Sequence, residues 1–179
     1  NFVSMAIFPG KEGSKLIRVR AMEGDYPFYG ELRTQPESAS SEYQDAGSAL
    51  VDATMMLQFG LQAGDSIKIG ERVFAIGGRL LEAPGNTVVS TSVAPAVWIP
   101  YHTLEATGLV QTGSRLEYNY YFKAPPGTDL EVLYDKLDPV LDAEDADLDL
   151  HTDTSQRLGR RFENVGRFLK LVAFIALLL

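Results

Sequence analysis

Apolar and polar positions alternate in KLIRVRAM (15–22), where Ile17 and Val19 sit between Arg18 and Arg20. That period of two predicts a strand with one wet face. FVSMAIF (2–8) predicts a partner strand, joined to it by the turn-rich PGKEGS. Residues 23–48 hold two prolines and a Ser/Glu cluster and read as a loop. The aromatics Tyr26, Phe28 and Tyr29 are expected to pin its first part against the core. Asp52 then caps a short helix, DATMMLQF, which Gly60 ends. Turns at Gly64-Asp65 and Gly70-Glu71 flank the strand SIKI and open a longer one, RVFAIGGRLLE. The Gly77-Gly78 pair predicts a bend or bulge within that strand. TVVSTSV is expected to close this β-rich stretch.

From Val97 the texture changes. VWI predicts a short strand, PYHTLEATG a short helix ending at Gly108, and RLEYNYYF an aromatic strand with Leu116, Tyr118, Tyr120 and Phe122 on one face. That aromatic face is expected in the core, with a binding surface for an apolar ligand as the other reading. Thr128 and Glu131 form a T-x-x-E capping box. The helix after it lines up Leu130, Leu133, Tyr134, Leu137, Val140 and Leu141. DADLDLH alternates as a strand. SQRLGRRFENVGRFLKLVAF spaces Leu158, Phe162, Val165, Leu169 and Val172 at helical intervals and runs into LVAFIALLL (171–179).

Together these elements predict an α+β chain of two lobes. A mixed α/β lobe (1–48 and 97–153) receives a β-rich insertion (49–96), and a helix over 154–179 follows. Nine apolar residues rise about 13.5 Å as a helix, whereas a bilayer core needs roughly 20 residues. The final run is therefore read as the first part of a transmembrane helix cut short, and both chain ends as cut. A terminal core helix or an oligomer contact is the alternative, although such helices keep a polar face that this run lacks.

Charge sharpens the division. The net charge is −8. Residues 1–156 carry 11 Lys+Arg against 23 Asp+Glu, whereas 157–179 carry five basic residues (Arg157, Arg160, Arg161, Arg167, Lys170) against Glu163 alone. An acidic body excludes a phosphate-binding groove of the kind nucleic acids need. A basic segment passing directly into hydrocarbon suits a chain that approaches a lipid surface.

Candidate chemistry is sparse. The absence of cysteine rules out disulfides and thiolate metal sites. A nucleophilic enzyme needs a base beside its Ser or Thr. Only His102 and His151 are available, and there is no G-x-S-x-G elbow. The acidic run DAEDADLDLHTD (142–153) lacks the glycine and glutamate positions of a calcium loop. No Walker-type phosphate loop occurs. No catalytic, cofactor-binding or metal-ligating residue is assigned, and the expectation is a non-enzymatic protein whose work is mechanical or recognitional.

LVDATMMLQFGLQAGDSIKIGERVFAIGGRL, together with VSMAIF, VWIPYHTL and the terminal helix, resembles the extracytoplasmic domain of MacB/FtsX/LolC-type permeases of ABC transporters. YPFYGEL is most similar to the YbbP-like branch. The resemblance implies a porter lobe with an inserted sabre lobe between two transmembrane helices, placed on the periplasmic side of the inner membrane. It also implies a separate cytoplasmic ATPase subunit whose motion drives the outer domain. That motion would export, extract or activate an outer lipid, lipoprotein or enzyme partner, and a permease dimer is implied as well. A membrane-tethered binding or scaffold module without an ATPase is the alternative. The basic residues beside the apolar run favour a cytoplasmic placement. Large domains are translocated regardless of charge, so the expected placement follows the resemblance.

Overall fold

The computed structural model describes residues 1–84, 94–144 and 146–150. It divides into two compact units, Asn1–Tyr121 and Phe122–Leu179. In the first unit the elements are β1 (Phe2–Ile7), β2 (Ser14–Met22), β3 (Arg33–Gln35), α1 (Ala39–Ala46), β4 (Ala49–Asp52), α2 (Ala53–Phe59), β5 (Ser66–Ile69), β6 (Arg72–Glu82) and β7 (Ala96–Pro100). Two 3-10 turns follow, Tyr101–Thr103 and Glu105–Thr107.

The strand pairings return to their start. β6 pairs with β4, β4 with β7, β7 with β2, β2 with β1, β1 with β5, and β5 again with β6; β3 is added alongside β6. β2–β7 and β4–β6 are parallel and the other contacts antiparallel. Because side chains alternate across a strand, one set from every member of the ring meets inside. Phe2 and Ala6, Ile17 and Val19, Ala49 and Val51, Ile67 and Ile69, Phe74 and Ile76, and Val97 and Ile99 form one cluster. Met55 and Met56 of α2 and Leu61 join it. Each Val, Leu, Ile, Phe or Met side chain among them contributes roughly 1.5–3 kcal/mol by leaving water.

A second cluster lies on the outward side. Ala39 and Tyr43 of α1 pack with Leu50, Leu80, Ala96 and Trp98. β4 is consequently buried at every position, so ALVD shows no alternation.

Several local expectations are met. α2 has Asp52 as its cap, accepting from the N–H groups of Thr54 and Met55, and ends at Gly60 in the left-handed region. β5 and β6 match SIKI and RVFAIGGRLLE. The register slips between Ala49 opposite Ile76 and Leu50 opposite Gly78, which leaves Gly77 as the extra residue. A Cβ on Gly78 would lie 2.7 Å from that of Ala39, so the second glycine lets α1 approach the sheet.

Others are corrected. Residues 23–48 are not all loop, since they contain β3 and α1. α1 buries only Ala39 and Tyr43, too few apolar positions to show a helical period. PYHTLEATG forms two 3-10 turns instead of one helix. There Thr103 Oγ1 donates to the Pro100 carbonyl and Thr107 Oγ1 to that of Leu104, both at 2.6 Å, competing with the helical ladder. Residues 115–122 form no strand. Leu116 packs on the interior cluster, while Tyr118, Tyr120 and Phe122 are exposed and not core.

Residues 49–96, expected as an inserted lobe, contribute β4, α2, β5 and β6 to the ring that β1, β2 and β7 complete. Short apolar runs identify strands without saying which strands they pair with. The division into compact units falls after Tyr121.

The described part of the second unit contains α3 (Leu130–Asp142). Its cap is Asp129, which accepts from the N–H groups of Glu131 and Val132; Thr128 donates to the Pro125 carbonyl instead. Residues 146–150, part of the expected strand DADLDLH, have no regular structure. TVVSTSV, His151 and the expected helix over 154–179 lie outside the described residues. Among the described residues, no helix is long and apolar enough to cross a membrane.

Candidate functional site

At the end of β2 the chain turns through 23–28, and this turn shares a groove of about 510 Å³ with residues 116–121. Met22, Tyr26, Phe28, Tyr101, Leu116 and Tyr118 form much of its wall. Tyr26 anchors it. Its ring lies 4.6 Å from that of Tyr121 and 5.9 Å from that of Trp98, tilted in both cases, within the range where aromatic pairs attract. Arg20 projects from the same outward side of β2 as Met22, and its guanidinium carbon stands 5.6 Å from the centre of the Trp98 ring, close enough for cation–π attraction.

Residues 116–121 are held to the ring at one rung. The Asn1 amine donates to the Glu117 carbonyl at 2.6 Å, and the Glu117 N–H returns a bond to the Asn1 carbonyl at 3.0 Å. This reciprocal exchange is the hydrogen-bonded pair of an antiparallel ladder. It seats Leu116 against the interior cluster.

Electrostatics suit recognition. Glu23, Asp25 and Glu117 border the groove. Burial raises the Tyr26 hydroxyl above its ordinary pKa, with neighbouring Tyr121 adding to the rise and Arg20 opposing it. Tyr26 therefore stays protonated at neutral pH and keeps its donor. Trp98 is wholly buried, yet its indole N–H finds no acceptor, and neither does Nε of Arg20. Aromatic faces bordered by carboxylates can hold an apolar or cationic group.

A second hollow, of about 540 Å³, runs along Tyr26, Leu32, Thr34, Ser40 and Ser41. Arg33, on its wall, pairs with Glu82 at 3.1 Å in an exposed position, and such pairs contribute little.

His102 is exposed on the first 3-10 turn. Among the described residues, no three His, Cys, Asp or Glu side chains gather as a metal site. The sequence reading anticipated that Tyr26 would pin its loop, and Tyr26 does pack on Trp98. Tyr29, expected beside it, is exposed. The Arg20–Trp98 contact was missed, because strand alternation places Arg20 on a wet face and says nothing of the ring beside it.

The first unit is thus a closed sheet that carries an aromatic groove on its outward side. The family model for the MacB-like periplasmic core domain matches residues 3–140, and the chain belongs to that family. The uncharacterized ABC transporter permease YbbP of Escherichia coli (strain K12) is 32% identical over 165 residues, covering 92% of this chain. The chain spans 20% of that relative's length. The chain is thus a MacB-like periplasmic core domain, as the sequence resemblance implied.

Proposed function

We propose that this domain transmits ATP-driven motion of a separate ATPase subunit to an outer partner, which is thereby exported, extracted or activated. The observation that carries the reading is the family match over 3–140 joined to the likeness to an ABC permease along 92% of the chain. Lipids, lipoproteins and enzymes are the partner classes, and the domain itself is non-enzymatic. The segment from Ser155 onward would link the domain to the bilayer. A rod without a flexible joint passes displacement on, where a random-coil linker absorbs it. A dimer of permeases would bring two such domains together around one partner.

The experiment uses the full-length permease with its ATPase in lipid nanodiscs. A dye at exposed Leu57 and an acceptor on the lipid headgroups report the distance from domain to membrane. Transfer efficiency is expected to differ between the nucleotide-free and vanadate-trapped states. Equal efficiencies would leave a tethered binding module without ATPase coupling.

A further inference from the structure

The ring has two kinds of outward face. Over β4 and β7 the outward residues Leu50 and Trp98 lie under α1. Along β1, at the start of β2 and at the start of β6, by contrast, outward apolar side chains are exposed. Val3 is 56% exposed, Met5 49%, Ile7 50%, Leu16 42% and Val73 52%. Register makes them one patch. Met5 stands opposite Leu16, Val3 opposite Arg18, Ile7 opposite Lys68, and Lys68 opposite Val73. Strands sit about 4.8 Å apart and rise about 3.3 Å per residue. The patch therefore measures about 14 Å across the four strands and about 13 Å along Val3 to Ile7, wide enough for one helix of about 10 Å diameter.

Charge is what singles the patch out. In a chain of net charge −8, the outward positions of β1, β2 and β5 include Arg18, Arg20 and Lys68 and no Asp or Glu. Of the nearby carboxylates, Glu12 and Glu71 lie in the turns at the strand ends, and Glu117 lies at the margin, lining a hollow with Val3 and Arg18. Each of these aliphatic side chains is about half covered by its neighbours. A second copy of this face would bring Arg18 and Lys68 against like charges.

We infer that this face is a docking surface for an amphipathic helix of a partner protein, one whose aliphatic stripe is flanked by Asp and Glu. The stripe covers Val3, Met5, Ile7, Leu16 and Val73, and the flanking carboxylates meet Arg18 and Lys68. α1 covers the opposite outward face in the same manner.

The full-length permease in nanodiscs tests this with two synthetic helical peptides sharing a leucine stripe, one flanked by glutamates and the other by lysines. The glutamate peptide is expected to bind roughly tenfold tighter. Met5→Glu should abolish binding, and the double variant Arg18→Glu, Lys68→Glu should reverse the preference. Equal binding of both peptides, or binding indifferent to these variants, overturns the inference. So does capture of phosphatidylglycerol vesicles through Met5 without peptide binding, which assigns the face to lipid. Self-association abolished by Met5→Glu assigns it to a second copy. Finally, a Met5→Cys thiol in the permease alone should react with maleimide. Protection there means that the permease covers the face itself, which also overturns the inference. None of these readouts depends on ATP, so they stand apart from the coupling experiment.

Discussion

Arg20 and Trp98 face one another across the parallel β2–β7 pair, opposite in register and with the guanidinium 5.6 Å from the ring centre. The contact joins the groove to the outward cluster beneath α1, because Tyr26 touches the same indole. The buried indole N–H has no acceptor, so its removal breaks no hydrogen bond. Trp98→Phe should therefore cost less than about 1.5 kcal/mol. Trp98→Ala leaves a cavity and should cost about 3–5 kcal/mol. Urea unfolding of the two variants checks the contrast.

Gly70 turns the β5–β6 hairpin at φ +60°, and a Cβ there would run into the Thr107 carbonyl and come within 2.8 Å of Leu109 Cγ. The same carbonyl accepts from the Glu71 N–H at 2.8 Å, so it has no freedom to retreat. Gly70→Ala should lose roughly 2–4 kcal/mol. Gly24→Ala, at φ +75° with nothing within 4 Å, should lose about 1 kcal/mol from the backbone alone. Paired thermal melts separate clash from conformation.

Asp52 ends β4 and begins α2. One of its carboxylate oxygens accepts from the Thr54 and Met55 N–H groups and from the Thr54 hydroxyl. Asp52→Ala should destabilise by about 1–2 kcal/mol, and Asp52→Asn by less, since an amide oxygen still caps. Denaturant midpoints at constant slope are the measurement.

Burial pushes the Tyr43 hydroxyl from 10.0 up to about 12, partly offset by its bond with Gln44. A raised pKa means that the folded state holds this proton more tightly than the unfolded chain. The stabilisation is therefore full below pH 10 and fades as pH climbs toward 12. Tyr43→Phe should flatten that part of the stability-against-pH curve. Ultraviolet titration of tyrosinate absorbance in the same window supplies the second reading.

What was legible in the sequence depended on how much of a segment's environment its own residues express. β2 alternates because one of its faces meets the interior and the other does not, and Ile17 and Val19 say so directly. Asp52 and Gly60 announce both ends of α2 through capping chemistry local to them. The bulge at Gly77 was likewise readable from the glycine pair. α1 was not, because Ala39 and Tyr43 are meaningful only once Trp98 and Leu50 are beneath them. RLEYNYYF has the alternation of a strand, yet in this structure only Glu117 has a ladder partner. The groove combines Met22, Tyr26 and Tyr118 from distant stretches, and no local pattern reports that meeting.

The closed pairing order has a mechanical corollary. A ladder with two ends unzips from whichever end is pulled, one rung at a time. A hoop offers no such end, so tension on any one strand is shared in shear by both of its neighbours, and Phe2, Ile17 and Val97 shift together or not at all.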